Sequence, residues 1–284
     1  MVAAAIAKLN KAFQLSDCTY YSKAASVSKR CAIWSYQVFV MGGSRFFRNT
    51  KGVYILIELF KDIFQFFKKN IWAISILTLA IEFPFILIQN IHYFSSTASE
   101  FSNNVSSVFF LITLVIYPFS SGAQISLYSM ILQGAKIDLK KCVSDSLKKL
   151  LNLIFASLIY LSFTFLGLLA FIIPGIIIGV RLSFYGFFIV LDDLKPLDAL
   201  KKSAQVTKEY TWLMAGSLFI IGALLIIPLF LIQLMLNRFG LYNLFSATLL
   251  DSVFAIMGWL SLILVFRFYC LYRDKAEKDR PTVD

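Results

Sequence analysis

The sequence predicts an all-α, polytopic membrane protein: six transmembrane helices as three hairpins, each preceded by a cytoplasmic interfacial amphipathic helix. Three observations predict it. Six apolar stretches of span length fill residues 71–271. Of 27 Lys and Arg, 25 lie on one side of those stretches. A basic, half-apolar segment precedes the first, third and fifth stretch. With 59% hydrophobic residues and a mean hydropathy of +0.76, the 284-residue chain has too little polar surface for a soluble domain.

Residues 1–52 differ from the rest. They carry eight basic residues and one acid, Asp17, and their longest apolar run, Ala32–Met41, is too short to cross a bilayer. Three readings stay open: a basic arm on the inner leaflet, a targeting peptide, or a start placed upstream of the native one near Met41 or Val53. Residues 53–274 read as the membrane domain and 275–284 as a charged cytoplasmic tail. Ile57, Phe60, Ile63, Phe64 and Phe67 share a helical face that leads into span one, Ile71–Gln89. Span two is Val108–Leu132. Leu139, Val143, Leu147 and Leu150 form the next stripe, before spans three and four, Asn152–Ile172 and Pro174–Leu191. Those two make one apolar run of 40 residues, long enough for two crossings, with the turn expected at Pro174-Gly175. A weaker stripe, Leu197, Leu200, Ala204 and Thr207, precedes span five, Trp212–Leu234. Span six is Val253–Leu271. Lys68, Lys148 and Lys208 take equivalent places before spans one, three and five, which suggests three repeated units. Pro84, Pro118, Gly122 and Pro228 are the candidate breaks within spans.

The charges orient the chain. Basic residues precede span one, fill the loops between spans two and three and spans four and five, and follow span six. Only Arg238 lies in an opposite loop, and Arg181 is inside a span. The positive-inside rule puts both termini and the two basic loops in the cytoplasm. The net charge of +11 then reads as a membrane face meeting anionic headgroups, and not as a nucleic-acid footprint. The expected partners are membrane lipids. Lys140, Lys141, Lys148, Lys149, Lys201, Lys202 and Lys208 are the candidate headgroup-binding residues. Cys18, Cys31, Cys142 and Cys270 all map to the reducing side, without metal-ligand spacing, and His92 stands alone in an outer loop.

Catalytic chemistry is not legible. Neither a phosphate-binding glycine loop, a nucleophile elbow nor an HExxH motif is present, and no cofactor or metal is expected. Asp192-Asp193 could hold a cation, but the pair suits a solvated helix end, with Pro196 opening the next helix. Glu82 and Arg181 both count to about 15–16 Å from the inner ends of spans one and four. Equal depth and opposite charge suggest an intramembrane pair facing the bundle interior.

The stretch from Ile173 to Trp212 reads IPGIIIGVRLSFYGFFIVLDDLKPLDALKKSAQVTKEYTW. Its Pro-Gly pair, acidic pair, and helix positions Pro196, Leu197, Ala199, Leu200, Ser203 and Thr207 resemble the YciC-like family of bacterial inner-membrane proteins. They are also similar to the membrane domain attached to some glycerophosphodiester phosphodiesterases. The terminal FRFYCLYR, Phe266–Arg273, resembles the family's last-span ending. The resemblance covers about residues 53–274, implies six spans with both ends inside, and carries over no catalytic residue. The expected function is a non-enzymatic role in lipid or envelope organisation. The rivals are a transporter of a lipid-like molecule and a scaffold for a soluble lipid enzyme.

Overall fold

The computed structural model describes residues 50–95 and 102–278. The N-terminal segment therefore lies outside the described residues up to Asn49. The described residues are helical, with no strand among them. The helices are α1 (Thr50–Ser95), α2 (Ser102–Leu132), α3 (Leu139–Lys148), α4 (Leu150–Ala170), α5 (Ile172–Leu182), α6 (Tyr185–Asp192), α7 (Pro196–Val206), α8 (Thr211–Arg238) and α9 (Leu244–Lys278). Six segments are long and apolar enough to cross a membrane: Leu59–Ser95, Ser107–Leu132, Leu150–Ala170, Ile172–Asp192, Thr211–Arg238 and Leu244–Asp274.

The spans close into a ring. α1 packs on α2, α2 on α4, α4 on α5, α5 on α8, α8 on α9, and α9 back on α1. The short helix α6 fills the middle of one end: every residue from Tyr185 to Val190 is buried. It packs on α2 and α4 by backbone proximity and on α9 by its rings. Phe187 stacks on Phe266 at 5.6 Å and on Tyr269 at 5.1 Å, while Phe184 and Phe188 meet Tyr269 edge-on. Offset and edge-on ring pairs of this kind each add about 0.5–1.5 kcal/mol beyond area burial.

Local chemistry sets the helix ends. Asp138 caps α3 by accepting from the amides of Lys140 and Lys141. Asn243 and Ser246 bond reciprocally at the start of α9, a capping box. Spans three and four reverse through one extended residue, Phe171. Pro174-Gly175, the expected turn, instead sits in the first turn of α5, where a missing N–H leaves no helical bond unmade. A Cβ on Gly167 would lie 2.9 Å from the Gly175 Cα, so the two helices touch backbone to backbone just beyond the turn.

Three other expectations change. The amphipathic segment before span one is not a separate helix; α1 runs unbroken through it and through Pro84. α2 and α8 likewise continue through Pro118 and Pro228. α9 runs on into the expected tail as far as Lys278. The expected stripes match the buried faces only in part: Ile63, Phe67, Leu200 and Thr207 are buried. Leu147 and Leu197 are exposed, while Cys142, Ser146 and Ser203 are buried. Small residues let α3 and α7 lie close on the spans: the Ser146 hydroxyl donates to the Phe119 carbonyl at 2.6 Å, and a Cβ on Gly122 would strike Ser146.

The break that does occur is in span four, between α5 and α6, at Ser183-Phe184, where there is neither proline nor glycine. A continuous helix would bond the Phe184 amide to Val180 and the Arg181 carbonyl to the amide of Tyr185. Here the Ser203 hydroxyl of α7 accepts from the Phe184 amide at 3.0 Å and donates to the Arg181 carbonyl at 2.8 Å. The Thr207 hydroxyl donates to the same carbonyl at 2.8 Å. Replacing Ser203 by Ala strands the Phe184 amide and should cost about 1–3 kcal/mol. Thr207→Val alone should cost less, because Ser203 still covers the carbonyl. The double variant should lose more than the sum. Thermal melts in detergent measure this, with Ser162→Ala on the exposed side of α4 as a near-neutral control.

Candidate functional site

The seven candidate lysines fall into two sets. Lys140, Lys141, Lys148, Lys201 and Lys208 are exposed. Of these, Lys148 makes only a loose pair with Asp145, 3.9 Å away on its own helix. Lys149 and Lys202 are turned to the protein. Lys149 Nζ lies 2.6 Å from Asp193 and donates to the Val190 carbonyl at 2.6 Å, fastening the start of α4 to the end of α6. Lys202 pairs with Asp192 at 3.1 Å and sits 4.5 Å from the centre of the Phe188 ring.

Asp192-Asp193 thus works as a tether. Asp192 takes Lys202 of α7, Arg273 of α9 at 3.3 Å and the Tyr269 hydroxyl at 3.4 Å. Asp193 adopts a left-handed backbone (φ 53°) that ends α6. Pro196 opens α7 at its first turn as expected, but neither aspartate caps it. Among the described residues no group of three or more His, Cys, Asp or Glu could hold a metal. Cys142 is buried in α3, its thiol 3.6 Å from the Met130 sulfur. Burial, with Asp145 and Asp138 near, pushes this thiol up to about 11, so it is a packed side chain and not a nucleophile. Cys18 and Cys31 lie outside the described residues.

Glu82 and Arg181 are not brought together. Glu82 accepts a hydrogen bond from Ser120 of α2. Arg181 belongs to none of the four ion pairs among the described residues, and its Nε is buried without a partner. The reason is the ring order: α1 packs on α2 and α9, whereas α5 packs on α4, α7 and α8. Counting residues inward fixes a depth but not an azimuth. Sequence reasoning missed Ser120 and Tyr117 of α2 as neighbours of Glu82. Tyr117 lies within electrostatic reach of Glu82, Tyr160 and Tyr185. The available signal was Tyr117, Ser120 and Ser121 flanking Pro118 inside an apolar span.

Glu82→Gln and Ser120→Ala should therefore couple, by about 0.5–3 kcal/mol in a double-mutant cycle, while Glu82→Gln and Arg181→Gln should add within about 0.5 kcal/mol. Melts of the single and double variants test both statements. A coupling between Glu82 and Arg181 as large as that between Glu82 and Ser120 would contradict this geometry.

No protein-family model matches the chain, and no solved structure matches it. The chain is similar to proteins named UPF0259 membrane protein, among them those of Yersinia pestis (strain Pestoides F) and Yersinia pseudotuberculosis (serotype IB, strain PB1/+). Each is 29% identical over 156 residues, which are 54% of this chain and 58% of the relative. The match thus spans less than two thirds of those relatives. Their printed names state a membrane protein and no reaction. With the six span-length helices, this makes the chain a multi-pass membrane protein distantly related to a bacterial membrane family.

Proposed function

We propose that the chain is a non-enzymatic protein of the bacterial inner membrane that organises lipid, gripping anionic headgroups with the lysines of α3, α7 and the turn that leads into α8. One observation carries the reading: exposed basic and exposed large apolar side chains alternate at one level of the molecule. Lys68 is followed by Trp72, 80% exposed, and Lys208 by Trp212, 55% exposed. Lys148 stands beside exposed Leu147 and Leu151, and Leu197 is exposed on the helix that carries Lys201. In water such a surface would associate. At a bilayer interface both halves are satisfied, rings at the headgroup level and ammonium groups in the phosphate layer. The YciC-like pattern of Ile173–Trp212 supports the inner-membrane location. The broken span four favours a second one, passage or holding of a lipid-like molecule, because discontinuous helices line such paths.

Changing Lys140, Lys141, Lys148, Lys201 and Lys208 together to Gln should cut retention of phosphatidylglycerol or cardiolipin in native mass spectrometry. Each lysine near the surface is worth about 1 kcal/mol. Lys149→Gln and Lys202→Gln should lower the melting temperature and leave retention nearly unchanged. Retention that follows Lys149 and Lys202 would reject the assignment. For orientation, Asn237→Cys should label with an impermeant thiol reagent in intact cells and Ser144→Cys should not. The reverse result would invert the protein in the membrane.

A further inference from the structure

Arg181 is a cation without a counter-charge among the described residues. It stands one residue before the end of α5. Its side chain is half-buried. Its Nε is fully covered without a partner, and the two terminal nitrogens are left to reach the surface. None of the ion pairs among the described residues includes it, and no aromatic face among them receives it. A guanidinium carries five N–H donors in a planar fork and a full positive charge. Such a group is costly to leave unpaired within a membrane span, so it calls for an oxyanion from outside the chain.

The backbone shows what stands beside it. The Thr207 hydroxyl donates to the Arg181 carbonyl at 2.8 Å, and Thr207 opens the short turn Thr207–Glu209 that leads into α8. Lys208, the next residue, is exposed, and Trp212, about one helical turn further on, is exposed too. Arg181 and Lys208 both have long side chains that start from backbones tied by that bond, so a single anion can bridge them. Glu209, the acid of the same turn, forms no ion pair with Arg181. α5 and α8 pack on each other, and both carry exposed large apolar side chains, Ile173 and Ile176 on α5, Phe219 and Ile220 on α8. An anion that brings acyl chains suits this surface better than a free one.

We infer that Arg181 and Lys208 together hold the phosphate of one anionic phospholipid at the junction of α5 and α8. The guanidinium fork matches two phosphate oxygens, and Lys208 adds a point charge. Trp212 meets the lipid at the interfacial level, and the acyl chains lie along the exposed apolar flanks. Two cations against one phosphodiester leave an excess of positive charge, which disfavours a headgroup that brings its own ammonium. The site rests on the headgroup reading and narrows it to one bound molecule.

The test titrates the full chain in nonionic detergent with phosphatidylglycerol, phosphatidylcholine or inorganic phosphate. Melting temperature and the copies retained in native mass spectrometry are the readouts. Phosphatidylglycerol should raise the melting temperature and stay as one tightly held copy, and the other two should bind about tenfold or more weakly. Arg181→Gln should weaken phosphatidylglycerol by about tenfold or more. It should leave the lipid-free melting temperature equal or higher, because it removes a charge with no partner in the protein. Arg181→Lys, which keeps the charge and loses the fork, should fall between. Lys208→Gln should weaken binding severalfold. Changing Lys140, Lys141, Lys148 and Lys201 to Gln should leave the one copy bound within about twofold. Unchanged binding in Arg181→Gln would overturn the assignment, and so would equal binding of the choline lipid or of inorganic phosphate. A lower lipid-free melting temperature for Arg181→Gln, including outright failure to fold, would overturn it as well, since the guanidinium would then have a partner within the protein. Loss of the copy in the four-lysine variant, with Arg181→Gln unaffected, would keep the headgroup reading and reject this site. No phosphatidylglycerol bound to the unaltered chain would reject both.

Discussion

Two backbone groups, the carbonyl of Arg181 and the amide of Phe184, set the terms for the rest of the molecule. Where span four breaks they lose their helical partners, and hydrocarbon offers none. Ser203 and Thr207 supply both, so α7 must fold back along α5 and α6. Holding α7 there takes the ion pair of Lys202 with Asp192, and Asp192 in turn engages Arg273 and Tyr269 of α9. The break thus organises one end of the bundle. It frees α6 to lie in the centre of the ring, and α7 and the end of α9 are drawn around it.

The plugged end gains from this what a membrane denies elsewhere. Between spans, lipid tails compete equally with apolar side chains, so association depends on close packing and polar contacts. Both occur at that end. Phe184, Phe187 and Phe188 interlock with Phe266 and Tyr269, and Gln124 donates to Thr78 at 3.0 Å. At the other end only scattered contacts tie the spans, such as the 2.8 Å bond from Asn90 to Asp251 between α1 and α9.

The basic charge is likewise divided by geometry. Lys149 and Lys202 compensate the carboxylates that end α6; without Lys202 the half-buried Asp192 keeps Arg273, and without Lys149 the exposed Asp193 loses its ion pair. The exposed lysines have no such duty within the protein. Their neighbours are exposed leucines and tryptophans, a combination that a headgroup layer accommodates and water does not. One composition signal, an excess of Lys on one side, therefore covers both lysines paired within the protein and lysines exposed on its surface.

The sequence by itself determined the solvent, the number of spans and their approximate limits, because length and apolarity decide what can cross a bilayer. It also placed α3 and α7 as separate basic helices. The azimuth of each residue, and so every contact across the ring, was left to the tertiary structure. Glu82 and Arg181 share a computed depth, yet they sit on helices that are not neighbours, and residue counting along a span carries no information about rotation. The break at Ser183-Phe184 was hidden for a related reason. The prolines at 84, 118 and 228 looked like breaks and are absorbed within helices. The real interruption has no helix-breaking residue, and its lost backbone bonds are replaced by hydroxyls about twenty residues further along the chain.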